Sequence, residues 1–215
     1  LLAVILANFF NSFKSVGGSS ESYFWLNNTG SLLNQTICGL FTGIPNYIMV
    51  PVAAKMVKKW GARATSIIAG LFGFFAYMTL FFVGFHPFGQ TFKDHYIFNL
   101  IWVIFGLTIC GLPNKILNVS GQIVTAEALD YMEWKHGLRN EALVTTVQGY
   151  FGKLATSVTG WLSGMVLTWI NYVPLTDSLG NAIPQTDPTM LNGIWAIFCI
   201  LPALARGLYG VSFII

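Results

Sequence analysis

Four charged side chains stand inside otherwise apolar stretches of this 215-residue chain: Lys14, Glu21, Lys115 and Lys153. A charge in the middle of a bilayer costs about 2.5–3.5 kcal/mol even on forgiving insertion scales, so such groups line a watery cavity, pair with each other or hold a ligand. Lys153 lies ten residues beyond Leu143, too deep for its ammonium to reach an interface along its stem. Gly149, Lys153, Ser157, Gly160 and Gly164 recur at steps of three or four and therefore share one face of a helix. Small-residue stripes of this kind either pack helices closely or leave room for a cavity. Thr145 and Gln148 sit on the adjoining turns. Lys14 and Glu21, seven apart, share a face with Asn11, beside Asn8, Ser15, Ser19 and Ser20. Lys115 follows Pro113 and Asn114, with Asn118 and Gln122 on the next turns. A cavity wall and a packed interface both satisfy these polar stripes.

A second constellation, Glu127, Asp130 and Glu133, then Lys135, Arg139 and Glu141, lines carboxylates at steps of three along one helical face. Such a face can hold a metal or an acid–base pair. His136 is the one histidine near it, and no second carboxylate set matches it. A metal site or membrane-embedded enzyme is thus the poorer reading. A water-facing cluster of salt bridges is more economical, each pair being worth about 0–1 kcal/mol and able to break and re-form in a conformational cycle. His86 and His95 lack a third ligand and read as loop residues. Cys38, Cys110 and Cys199 lie in apolar sequence with no C-x-x-C pair and read as small buried hydrophobes. Three N-x-S/T patterns, at Asn27, Asn34 and Asn118, are short enough to arise by chance.

The elements that must position these residues follow from composition. Apolar residues make up 54% of the chain, charged residues 9%, and mean hydropathy is +0.64. Soluble domains carry about 25% charge. With 11 Lys and Arg and 8 Asp and Glu no water-facing surface can be built, and 15% aromatic residues exclude a solvated, disordered chain. The expected solvent is lipid. Six apolar blocks reach the roughly 20 residues needed to cross a bilayer: 1–26, 32–54, 65–85, 96–119, 143–172 and 191–213. They lack period-two alternation, so the expected fold is an all-α membrane protein of six transmembrane helices rather than a barrel. Pro45, Pro51, Pro113 and Pro202 fall inside these blocks and bend them.

Lys55, Lys58, Lys59 and Arg63 fall in one connection, and Lys135 and Arg139 two crossings later, while Lys93 is the one cation of the outer loops. By the positive-inside rule the basic connections and both ends are cytoplasmic, and Arg206 near the last span's end agrees. The net charge of +3 then reports loop cations rather than a nucleic-acid partner. The first residue is not Met and the last residues are apolar, so the chain is expected to be part of a longer protein.

At Ala126 to Ala142 the string AEALDYMEWKHGLRNEA resembles the signature of the glycoside-pentoside-hexuronide:cation symporter family, the branch of the major facilitator superfamily that includes melibiose permease. Ten positions match: Ala126, Asp130, Tyr131, Glu133, Trp134, Lys135, Gly137, Arg139, Glu141 and Ala142. Glu127 replaces an Asp, and Met132 a Gly. The string PVAAKMVKKWGAR resembles the family's basic loop two crossings earlier. The resemblance implies the carboxy-terminal half of a twelve-helix fold, its amino-terminal six helices absent. It implies symport of a sugar or glycoside with Na⁺ or H⁺ by alternating access, with no cofactor, no catalysis and a cation site mainly in the absent half. Lys153, Gln148 and Gly149 fall on positions that line the family's pocket. Asn118 falls where melibiose permease has a pocket tryptophan. Glu127, Asp130, Glu133 and Arg139 would form cytoplasmic gate salt bridges, with Lys14, Asn11, Glu21 and Lys115 as further polar groups of the cavity. Location in the bacterial inner membrane follows from the same resemblance, as does the alternative of a non-sugar solute.

Overall fold

In a bilayer every backbone N–H and C=O must find its partner within its own segment, so long apolar blocks fold as α-helices. The computed structural model describes residues 2–83, 95–137, 141–176, 178, 182–184 and 186–214. Seven helices occur among them: α1 (Leu2–Ser12), α2 (Lys14–Thr29), α3 (Leu33–Trp60), α4 (Ala62–Val83), α5 (Tyr96–His136), α6 (Glu141–Trp169) and α7 (Pro188–Val211). Strands β1 (Leu175–Thr176) and β2 (Ala182–Ile183) form a short antiparallel hairpin between α6 and α7. The protein is an all-α membrane protein. Among the described residues α3, α4, α5 and α7 are each long and apolar enough to cross a bilayer, and α1, α2 and α6 are the other helices of the bundle.

The observed ends differ from the expected ones in four places. The first block is two helices, joined by a tightened turn at Phe13 in which Phe13 N–H donates to Phe10 C=O at 3.1 Å and Val16 N–H to Phe13 C=O at 3.1 Å. The second block runs on to Trp60, so most of the basic connection is helical. Gly61 alone makes the turn, at φ +81° and ψ 159°, a conformation that glycine adopts and a Cβ strains. The charged stretch after the fourth block is likewise helix rather than loop, continuing α5 to His136 for 41 residues. The polar stretch before α7 contains the hairpin, and Asp187 starts the helix by accepting from Thr189 N–H at 2.9 Å.

α7 is the most enclosed crossing and packs on α4 and α2, while α5 packs on α3 and α4. Gly70 of α4 meets Gly210 of α7 backbone to backbone: a Cβ built on Gly70 would stand 2.7 Å from Gly210 Cα. Two apolar cores result. One, toward the hairpin, gathers Phe24, Trp25, Tyr77, Val103, Trp195 and Phe198, with the Phe24 and Phe198 rings stacked at 5.1 Å. The other, toward the basic end, gathers Val4, Ala7, Ala69, Leu117, Tyr209 and Phe213. Between the two cores along the sequence stand Asn11 to Lys14 of α1 and α2, Gly73 of α4, Asn114 and Lys115 of α5, and Arg206 of α7. The three cysteines are free and buried, as expected of small hydrophobes.

Candidate functional site

Between α1, α5, α6 and α7 the bundle holds a polar cavity of about 410 Å³. α1 contributes Asn8 and Asn11. α5 contributes Asn118, Gln122 and Thr125, with Leu117 and Gly121 between them; α6 contributes Gln148, and α7 Tyr209. Gly121 is what lets Tyr209 approach, since a Cβ there would lie 2.9 Å from the phenol oxygen. The phenol donates to Leu117 C=O at 3.3 Å, and Thr125 donates to Gly121 C=O at 2.9 Å. The buried Nε2 of Gln148 has no hydrogen-bond partner among the described residues. An amide donor left so costs about 1–3 kcal/mol, which a bound hydroxyl or water recovers. Asparagines, glutamines and the hydroxyls of Thr125 and Tyr209 give the lining many neutral hydrogen-bonding groups.

The expected site residues divide into three groups. Asn11, Asn118 and Gln148 come together in the cavity. Lys14 and Lys115 lie one step behind it. The Lys14 ammonium donates to Asn114 Oδ1 at 3.3 Å, and the Lys115 ammonium lies 4.9 Å from the centre of the Tyr47 ring. Glu21 is half-buried on α2, close enough to attract the Lys14 ammonium. Gly149 and Lys153 do not line the cavity. They stand on an exposed face of α6 with Thr145, Ser157, Gly160 and Gly164, and a Cβ at Gly149, Gly160 or Gly164 would meet nothing within 4 Å. That stripe therefore packs no helix among the described residues.

Glu127, Asp130 and Glu133 are exposed on the last turns of α5. Glu127 borders a second, largely apolar cavity of about 530 Å³ together with Arg63, Tyr131 and Phe213. Arg63 donates to the carbonyls of Phe213 and Ile214 at 2.6 and 3.1 Å, tying the start of α4 to the end of α7. Arg139 lies outside the described residues. Among the described residues no three His, Cys, Asp or Glu side chains gather as a metal site.

Sequence reasoning placed Arg206 at a water-facing helix end. The structure instead buries it to 2% exposure, with Nη1 donating to Asn11 Oδ1 at 2.7 Å and Nε without a partner among the described residues. It is the one charge in α7, so the rule that singled out Lys14 and Lys153 applied equally to it. Thr125 and Tyr209 were also missed, and being uncharged they gave no comparable signal.

Comparison with known proteins agrees with this geometry. A family model described as MFS/sugar transport protein matches residues 1–211. An uncharacterized symporter, YjmB, of Bacillus subtilis is 28% identical over 209 residues, covering 97% of this chain and 41% of the relative. A putative sulfoquinovose importer of Escherichia coli is 36% identical over 89 residues, 39% of this chain and 18% of the importer. An isoprimeverose transporter of Lactiplantibacillus pentosus is 28% identical over 96 residues, 44% of this chain and 18% of the transporter. The chain thus spans less than half the length of these curated relatives. No solved structure matches it at comparable significance. The relatives are named for transport rather than catalysis, and with 211 of the 215 positions inside the family model the chain belongs to the MFS/sugar transport protein family.

Proposed function

We propose that the chain is the carboxy-terminal half of a transporter that carries a sugar or glycoside together with Na⁺ or H⁺. The observation that carries this reading is the polar cavity between α1, α5, α6 and α7, whose Asn8, Asn11, Asn118, Gln122 and Gln148 offer donors and acceptors at the middle of an apolar bundle. Binding near the bilayer midplane, with the two halves rocking around it, is how such a site is exposed to one side and then the other. Relatives named for sulfoquinovose and isoprimeverose support a sugar-like solute. The exposed polar face of α6, with Gly149 and Lys153, is then turned to the other half and to the solute path. Glu127, Asp130, Glu133 and Arg139 work as gate salt bridges on the cytoplasmic side. The chain's own residues need no cofactor for this, and the coupling cation sits mainly in the other half. The membrane is the bacterial inner membrane, with both ends of this segment cytoplasmic.

The test is uptake of labelled glycosides, with and without Na⁺ and across a proton gradient, by cells expressing the full-length transporter. Ion-driven uptake is expected, and Gln148→Ala and Lys153→Ala each lower it about tenfold, the equivalent of one good hydrogen bond. Uptake that ignores both ion gradients sinks the symport reading, and absence of uptake for every glycoside sinks the sugar.

A further inference from the structure

On the face of the bundle where α4 meets α5, away from the polar cavity, lies an apolar groove of about 240 Å³. The exposed rings of Phe72 and Phe75 on α4 and of Phe105 on α5 stand along it. Between them the side chains are small: Ala76 on one helix and Gly106 on the other. Gly106 also decides where Leu80 goes. A Cβ there would overlap Leu80 Cδ1, so its absence lets Leu80 sink to 2% exposure instead of standing up into the groove. Both helices are long and apolar enough to cross a bilayer, so the medium at the mouth of the groove is lipid.

α4 gives the depth of the groove. Its 22 residues at about 1.5 Å each match a hydrocarbon layer of about 30 Å, which puts its middle, between Phe72 and Gly73, near the bilayer midplane. Leu80 then lies about 11 Å above that plane on the hairpin side, level with Gly106, and Trp102, one turn further along α5, about 17 Å above it. The groove therefore runs from the middle of the bilayer to the level, about 15 Å up, where acyl chains meet their ester groups. At that end Trp102 lines the groove, and its buried Nε1 has no hydrogen-bond partner among the described residues. Water answers it poorly, because Thr79 already donates to Phe75 C=O at 2.8 Å and an ordered water takes about three partners. An ester carbonyl is the acceptor that a bilayer supplies at this depth, and indoles settle at that level of a membrane.

We infer that the groove between α4 and α5 is a binding site for one resident phospholipid of the leaflet on the hairpin side. One acyl chain lies between the phenylalanine rings over Ala76 and Gly106, and its ester carbonyl accepts from Trp102 Nε1–H. The lipid is a bound part of the bundle rather than its cargo. Its site shares no residue with the polar cavity, so it is occupied whatever solute the transporter carries.

The full-length transporter is placed in vesicles of phosphatidylethanolamine and phosphatidylglycerol that contain a trace of phosphatidylethanolamine with a diazirine at mid-chain. After illumination the labelled peptides are mapped by mass spectrometry. Leu204 and Leu208 of α7, exposed and apolar but outside the groove, give the level due to ordinary surrounding lipid. Label over 72–79 and 102–109 is expected to exceed that level about fivefold, and Ala76→Phe, which fills the groove from between the two helices, to bring it down to that level. An ether-linked twin of the probe lacks the ester carbonyl. It is expected to label the groove about fivefold less than the ester probe in wild type, the equivalent of one hydrogen bond, and equally in Trp102→Phe. Should Ala76→Phe fail to fold, Thr79→Phe fills the same groove from an exposed position. Three results overturn the inference. Label in the groove no higher than at Leu204 and Leu208 makes it ordinary lipid-facing surface. Label that survives a phenylalanine at 76 or 79 undiminished places the lipid elsewhere. Equal labelling of wild type by the ester and ether probes removes the Trp102 bond, and the ester-held lipid with it.

Discussion

Asp187 is a single carboxylate with a structural task that can be isolated. It accepts from both the N–H and the hydroxyl of Thr189, at 2.9 and 2.7 Å, at the first turn of α7, and these bonds hold its carboxyl below its ordinary value of 3.8. A carboxyl whose native value is lowered contributes stability that is complete above the ordinary value and fades as pH falls through the lowered one. Asp187→Ala is accordingly expected to lower the protection of the Thr189 amide against hydrogen exchange at pH 7, with the gap to wild type closing well below pH 3.8. Asp187→Asn keeps an accepting oxygen, so its protection is expected not to follow pH in this way. A wild-type amide equally protected at both pH values would remove the capping role.

At this scale charge was the readable signal. Lys14, Lys115 and Glu21 announced themselves by standing alone in apolar sequence, and all three lie at or near the polar residues between the two cores. Arg206 carried the same signal, yet its nearness to the end of a block made a water-facing end the natural reading. Only packing reveals that Gly73 opens a slot for its stem. Gln148, Asn118 and Asn11 were legible from their helical spacing, whereas Thr125 and Tyr209 join the cavity because α5 and α7 meet at Gly121 and Tyr209.

Among elements, α4 and α7 cross backbone to backbone at Gly70 and Gly210. Gly70→Val puts a branched side chain into the Gly210 backbone, which cannot yield as a flexible side chain can, and is expected to cost about 1–3 kcal/mol or more. Gly18→Ala serves as the control: nothing lies within 4 Å of its Cβ position, so the change is expected to be neutral or slightly stabilising. Thermal unfolding in detergent reads both, and a Gly70→Val protein as stable as wild type removes the close crossing. The blocks themselves were legible because lipid demands about 20 apolar residues. Their ends were not. Hydropathy senses where a helix leaves lipid, not where it stops, and Ala126, Glu127, Leu129, Met132, Glu133 and Lys135 are good helix formers in water too.

For the whole molecule, the two broad exposed faces differ in chemistry. α3 presents Leu40, Phe41, Ile44 and Ile48, a surface suited to lipid or to another apolar surface, while α6 presents Thr145, Lys153, Ser157, Gly160 and Gly164. In the full-length transporter Gly160→Cys is expected to react with a hydrophilic, membrane-impermeant maleimide, and Phe41→Cys to resist it. The free cysteines Cys38, Cys110 and Cys199 are buried, so this segment adds little background of its own. Labelling at Phe41→Cys but not at Gly160→Cys would reverse the assignment of the two faces. Fold class and membrane character were both legible in composition, whereas which face of α6 is left uncovered depended on what that helix packs against.

α5 runs unbroken from the cavity to the charged turns beyond it. Between Asn118 and Glu133 there is no proline or loop, and fifteen residues at 1.5 Å each make a rod of about 22 Å. A rod has no slack. If solute binding tilts this segment by about 10°, its far end sweeps about 4 Å, more than a salt bridge can span and stay formed. The helix that carries Asn118, Gln122 and Thr125 also carries Asp130 and Glu133 at its far end, so any tilt at the cavity would reach those carboxylates undiminished.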